Sequence, residues 1–177
     1  MKKRTYKFFA AALFTSLFLM VVGCTENTET KTKDENIQTI KAVLHNMFTG
    51  PEDELKQIWK TNEAEEELKA LSKYSEEQFK DYFTEDMYME YSLASNEIVF
   101  LKTAYRNNYN LKVIKIKFEK TNSDEDIYNF SMEVQLQKVG KELSEIQIVN
   151  GQANLSKEHK IEEILIRNEG VLKSLKN

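Results

Sequence analysis

The hydrophobic period of this chain changes at Tyr109, and that change dictates most of its architecture. From there to about residue 167 apolar side chains recur at every second position. The clearest case is Tyr128, Phe130, Met132, Val134 and Leu136 alternating with Asn129, Ser131, Glu133, Gln135 and Gln137. Strict alternation over ten residues predicts a strand with one buried face. An earlier strand carries Leu111 and Val113 in one phase and Ile114, Ile116 and Phe118 in the other, which predicts a β-bulge near Val113-Ile114. Gly140-Lys141 marks a hairpin. The third strand, 143–155, has Ile146 and Ile148 in one phase and Val149, Gly151 and Ala153 in the other, which predicts a second bulge with Gly151 at the bend. A fourth strand covers 160–167, and Val171, Leu172 and Leu175 suit a short closing helix. Short hairpin loops make these strands antiparallel neighbours.

Upstream the period is helical. Ile37, Ile40, Val43, Leu44, Met47 and Phe48 form one stripe, started by Asp34 and Asn36 and stopped by Gly50-Pro51. Pro51 opens a second helix, with Glu52, Asp53 and Glu54 at its positive end and Leu55, Ile58 and Trp59 on its buried side. Residues 63–74 read as a largely solvated helix carrying Ala64, Leu68 and Leu71 on one side. Ser75-Glu76-Glu77-Gln78 has capping-box form, and Thr84 is a further cap, so 75–94 reads as two short helices in an elbow. Residues 95–108 have no clear period. Helices followed by a run of strands define an α+β fold: N-terminal helices packed on a curved antiparallel sheet of about four strands.

The N-terminus is of another kind. Lys2, Lys3, Arg4 and Lys7 precede an uncharged apolar run from Phe8 to Val22, which ends in Val21-Val22-Gly23-Cys24. A positive start, an apolar stretch and a small residue at the cut are the parts of an export signal. The run is shorter than the roughly 20 residues of a spanning helix. Tilt or a thin bilayer would still allow an uncleaved anchor. The Val21–Cys24 stretch resembles the lipobox of bacterial lipoproteins. The resemblance implies cleavage between Gly23 and Cys24, a diacylglyceryl group on the Cys24 sulfur, and a protein held on the outer face of a cell membrane. Two or more acyl chains make such an anchor durable, whereas one does not. The ordinary alternative for a single cysteine is a buried core thiol.

On this reading residues 1–23 are a signal peptide, 24–36 a lipidated cysteine and disordered tether, and 37–177 one domain. The tether, TENTETKTKDEN after Cys24, contains no apolar residue and cannot offset the entropy of ordering. Its twelve residues reach about 20 Å. Cleavage leaves 154 of the 177 residues and moves the net charge from −4 to −8. A chain of that sign is repelled by nucleic acid and by an anionic membrane surface. Cys24 is the one cysteine, so lipidation leaves no thiol for a disulfide or metal.

Phe48-Thr49-Gly50-Pro51 with Glu54-Leu55, then Tyr82-Phe83-Thr84-Glu85-Asp86, then the strand meander, resembles small secreted or lipid-anchored proteins of Gram-positive bacteria. These have the cystatin-like cone of the nuclear transport factor 2-like superfamily. The resemblance covers residues 37–177 and implies that cone fold. Superfamily members include ketosteroid isomerases, polyketide cyclases, secretion-system components and accessory domains with no reaction, so the fold leaves the function open.

Chemistry is sparse. The two histidines, His45 in the first helix and His159 before strand four, have no zinc-site spacing. No cofactor or metal is expected. A cone enzyme needs a carboxylate inside the cone, yet the faces formed by Tyr128 to Leu136, by Ile114, Ile116 and Phe118, and by Ile146 and Ile148 carry none. Glu162 or Glu163 could face inward, depending on register. Asp81, Glu85, Asp86 and Glu90 suit solvated helix faces. Tyr82, Tyr91 and Tyr128 are candidates to line a pocket for a small apolar molecule, and equally suit the edge of the core. The outward face, with Asn129, Ser131, Gln135, Gln137 and Gln147, is polar but weakly charged. The expectation is a lipid-anchored extracytoplasmic module that binds an envelope protein and does not catalyse. By family analogy it would serve a secretion or conjugation machine. Alternatives are a pocket protein binding or isomerising a small apolar molecule, and a passive envelope-stress protein.

Overall fold

Asp34 starts the first helix, α1, Glu35–Phe48. Its Oδ1 accepts hydrogen bonds from the backbone N–H of Asn36 at 3.0 Å and of Ile37 at 3.3 Å, the standard way to satisfy two of a helix's first free donors. The computed structural model of the chain describes residues 34–93, 96 and 98–176. The leader, the Gly23–Cys24 junction and the tether up to residue 33 lie outside the described residues. Glu35 and Asn36, read from sequence as the end of the tether, belong to α1.

The stripe expected on α1 is its buried face: Ile40, Val43, Leu44, Met47 and Phe48 are all fully buried. Gly50 ends the run at φ +127°, a conformation open to glycine but strained for other residues. Its N–H donates to the Leu111 carbonyl at 2.9 Å and its carbonyl accepts from the Leu111 N–H at 2.6 Å, pinning the end of α1 to the sheet. Helix α2, Asp53–Ile58, buries Leu55 and Ile58 as expected.

Helix α3, Ala64–Phe79, departs from the expectation. It runs straight through Ser75, which is buried mid-helix and is not the start of a new helix. No glycine or proline interrupts 63–79, and Asn46 Nδ2 from α1 donates to the Gln78 carbonyl at 2.7 Å near its end. Its packed side is built by Tyr74, Ser75 and Phe79 with Ala70 and Leu71. Ala64 and Leu68 are exposed instead. A 3₁₀ turn, Lys80–Tyr82, leads to α4, Glu85–Leu93. The stretch without a clear period contains α5, Val99–Arg106, which buries Phe100, Leu101 and Ala104. The Phe100 ring stacks on Phe48 at 4.3 Å.

Four antiparallel strands follow in the order β1-β2-β3-β4, with β1 Tyr109–Lys120, β2 Asp126–Lys138, β3 Ser144–Leu155 and β4 Ile161–Arg167. The β1–β2 register shifts between Val113 and Lys115, so Ile114 is the extra residue of the expected bulge. The bulge returns Ile116 and Phe118 to the face of Leu111 and Val113, opposite Met132 and Phe130. Ile114 itself points outward, about half exposed.

The second expected bulge is absent between β2 and β3, whose register is continuous from Asp126–Leu155 to Gln137–Ser144. Val149, Gly151 and Ala153 therefore set the inner phase, and Ile146 and Ile148 face outward. The start of β3 can hold polar residues inward because the last helix, α6, Glu169–Leu175, packs against this strand. Gln147 Nε2 donates to Ser174 Oγ at 3.1 Å, and Ser174 Oγ donates to Glu145 Oε1 at 2.9 Å. Gln147, expected outward, is thus an inner residue. The second register shift lies between β3 and β4, where Glu162 is the extra residue. Glu162 and Glu163 are both exposed, so neither puts a carboxylate inside.

The helices cover one face of this sheet. α1 packs on β1 and β2, α5 on β1, and α6 on β3. The core between them is continuous, from Ile40 and Leu44 of α1 through Met132, Val134 and Leu136 of β2 to Val171 and Leu175 of α6.

Candidate functional site

No helix packs on the other face of the sheet in the described contacts, and strand register lays its side chains out in rows. One row runs Lys117–Ser131–Asn150–Arg167 and the next runs Glu119–Asn129–Gln152–Leu165. Together they line a groove of about 640 Å³. Gln152 Nε2 donates to Asn129 Oδ1 at 2.8 Å, which ties the second row together. Beyond the first row, Lys115–Glu133–Ile148 and Lys112–Gln135–Ile146 continue the face. Ile114, Ile146, Ile148 and Leu165 each remain about half exposed here. Single exposed aliphatics are ordinary; Ile146 and Ile148 are neighbours on β3, and with Ile114 and Leu165 on the same face among amides and charged groups of both signs they give it a mixed, contact-ready character. Of the residues expected outward, Asn129, Ser131, Gln135 and Gln137 are on this face.

Gly151 keeps the groove's floor tight. A methyl group there would fall 2.2 Å from Phe130 Cζ and 2.3 Å from the Leu165 carbonyl oxygen. The glycine is present for close packing between strands, not for a bend.

A second polar cluster sits where the chain enters the domain. Tyr128 is buried on the inner face of β2, and its hydroxyl donates to Asp34 Oδ2 at 2.9 Å. Asn36 Nδ2 donates to the same hydroxyl at 3.4 Å. His159 Nδ1 lies 2.8 Å from Asn36 Oδ1, and since that oxygen can only accept, Nδ1 carries the proton. His159 Nε2 lies 3.0 Å from Glu35 Oε2, on the protein surface. Burial, with the Asp34 carboxylate adding to it, raises the pKa of the Tyr128 phenol above its ordinary value. The cluster locks α1 to β2 and to the β3–β4 turn. Asp34 was legible as a cap, but its second oxygen was not, because the partner is 94 positions away.

The three tyrosines considered as pocket residues stand in different places. The Tyr128 hydroxyl is at the start of α1. Tyr91 stacks on Phe83 at 5.3 Å and reaches Met47 Sδ at 4.0 Å, at the end of α1. The eleven steps along α1 from Asn36 to Met47 separate these points by roughly 16 Å. Tyr82, in the 3₁₀ turn, is half-buried against the core. His45 lines a small cleft of about 150 Å³ with Asn46, Glu52 and Tyr74. Burial first, then Lys41, lowers the His45 pKa; burial, with Glu52 and Glu54, raises that of Tyr74 to about 12. Among the described residues no three histidine, cysteine or acidic side chains are grouped to hold a metal ion.

No family model matches the sequence, and no curated protein matches it significantly. Among solved structures the fold is similar to the NMR structure of TraH, named as a transfer protein of the Gram-positive conjugative plasmid pIP501. The TM-score is 0.50 at 15% sequence identity, over 78% of this chain and 95% of TraH. At that identity the likeness is one of fold: helices first, then an antiparallel sheet.

Proposed function

We propose that this chain is an accessory module of the bacterial cell envelope. It is held at the outer face of the membrane by lipid on Cys24 and works by binding a partner protein through the outer face of its sheet. The observation that carries this reading is the contrast between the two faces. The inner face is filled by side chains from α1, α5 and α6, whereas the outer face keeps four half-exposed aliphatics among side-chain amides and charged groups of both signs. Such a surface suits recognition of another protein and offers no enclosed carboxylate for catalysis. The shared fold with a protein named for conjugative transfer favours a machine that moves macromolecules across the envelope as the setting. The lipobox-like Val21–Cys24 stretch supplies the anchor, and the cone fold of the nuclear transport factor 2-like superfamily is the framework that fits the helix-then-meander order.

The test is photo-crosslinking in the intact envelope, with the full chain carrying a photoreactive residue at Ile148 or, as control, at Leu68 on α3. A defined protein adduct from position 148 and not from 68 supports the reading. Loss of that adduct in Cys24→Ala, together with loss of fatty-acid labelling, supports the anchor. Equal adducts from both positions, or none from 148 in correctly localised protein, refute the outer face as the contact surface.

A further inference from the structure

We infer that the groove on the outer face is a binding site for an extended acidic peptide segment whose carboxylates lie four residues apart. The inference rests on the reading that this face is the binding face. The row Lys117–Ser131–Asn150–Arg167 crosses all four strands and has a cation at each end with two neutral hydrogen-bonding groups between. Among the described residues neither Lys117 nor Arg167 is within ion-pair distance of a carboxylate, although the chain as a whole is acidic. The side chains of Ser131 and Asn150 make no hydrogen bond to another described residue. Two positive charges on an acidic protein, each without a partner, are complementary to two negative charges on a ligand.

The spacing specifies the ligand further. Adjacent strands are about 4.8 Å apart, so three steps place the two cations' Cα atoms roughly 14 Å apart. An extended peptide rises about 3.4 Å per residue and presents every second side chain on one face, so residues i and i+4 share a face at about the same 14 Å. The residue at i+2 then lies over Ser131 and Asn150. The neighbouring row adds side-chain amides at Asn129 and Gln152, which match peptide N–H and C=O groups, and an apolar contact at Leu165. Glu133 stands in the row on one side and Glu119 in the row on the other. Glu119 repels a carboxylate set off the row on its side, while Lys115 across from Glu133 leaves the other row neutral, so the charge pattern favours the Lys117–Arg167 row from one side. Neutral amides and an apolar contact fit a peptide better than a polyphosphate, which would use the cations alone.

The test uses the full chain in detergent and three labelled nine-residue peptides of equal composition and charge, with two glutamates at i,i+4, at i,i+1 or at i,i+3, read by fluorescence anisotropy. A fourth peptide replaces both glutamates by glutamine. The i,i+4 peptide is expected to bind most tightly. Lys117→Gln and Arg167→Gln should each weaken it roughly two- to fivefold, as exposed ion pairs do, and raising salt should weaken it further. Asn150→Ala should weaken it without changing the salt dependence. Equal binding of all three acidic peptides, binding of the glutamine peptide, or displacement by polyphosphate at equal charge concentration would each overturn the inference. If peptides fail while position 148 still crosslinks to a protein, the face is a contact surface with a different ligand chemistry. If both fail, the reading of the face falls as well.

Discussion

Gly151→Ala sets two ordinary expectations against each other. In a strand with no backbone constraint, replacing glycine by alanine stabilises by about 0.4–1 kcal/mol, because the unfolded chain loses freedom. The φ of Gly151 is not in the left-handed region, so backbone strain does not oppose the change. Packing does. The added methyl would meet Phe130 Cζ at 2.2 Å and the Leu165 carbonyl oxygen at 2.3 Å, where ordinary carbon contacts are about 3.5–4.0 Å. The ring could rotate away only by displacing its neighbours, and the carbonyl belongs to the β3–β4 ladder. The expected result is a net loss of about 3 kcal/mol, the upper end of overpacking, or a fall in Tm of roughly 6–12 °C for a domain of this size. Urea unfolding followed by circular dichroism reads it directly. The companion variant is Phe130→Leu, which withdraws the two overlapping ring atoms, Cζ and Cε1, and leaves the Leu165 carbonyl oxygen. The double variant should be more stable than the sum of the single losses by at least about 1 kcal/mol. A loss under about 1 kcal/mol for Gly151→Ala, or strict additivity with Phe130→Leu, would refute the steric account.

Three further outcomes are expected. Asp34→Ala removes both the helix cap and the acceptor for Tyr128 and should cost about 1–2 kcal/mol; Tyr128→Phe should cost about 0.5–1.5 kcal/mol, and the pair should lose less than the sum because one bond is shared, as a double-mutant cycle in urea will show. Leu44→Ala empties a fully buried site in the middle of α1 and should cost about 3–5 kcal/mol, read from the same unfolding curves. The folded-state pKa of His45 is lowered from 6.5, so the unfolded state binds the proton more readily and stability falls as pH drops through 6.5; His45→Gln should flatten that part of the profile of unfolding midpoint against pH.

The strands were the most legible part of this chain. Alternation from Tyr128 to Leu136 and the two phases of β1 translate directly into inner residues and a bulge at Ile114, because side-chain period and face are the same thing in a strand. The same rule misled at β3. Ile146 and Ile148 are apolar, yet they face outward, since continuous pairing with β2 sets the phase and α6 supplies partners for the inward Glu145 and Gln147. That compensation comes from residue 174 and has no local signature. Helix ends depended in a similar way on distant groups. Ser75 has the composition of a cap, but a helix without a breaker continues when its next turn has a surface to pack on. The outer-face amides were visible in β2, whereas their alignment with Lys117 and Arg167 required the register of all three strand pairs.

Polar side chains of this sheet and of α1 differ in whether water can reach them. Those turned inward and away from bulk water, such as Asn36 and Gln147, have protein partners at hydrogen-bonding distance, because an unpaired buried polar group costs about 1–3 kcal/mol. Those of the Lys117–Arg167 row are solvated and have no partner among the described residues. A ligand there exchanges water for protein contacts at little net gain per bond, so an affinity built on two exposed ion pairs and a few amides is weak in free solution. Confinement changes that arithmetic. In the proposed function, two partners fixed to one membrane within the reach of the short segment between Cys24 and α1 would meet at effective concentrations that flexible linkers set in the millimolar range. A site of this kind is then occupied where both partners are anchored and empty elsewhere. In the proposed function the lipid on Cys24 is therefore part of the recognition, and releasing the chain from the membrane should weaken partner capture more than any single substitution in the groove.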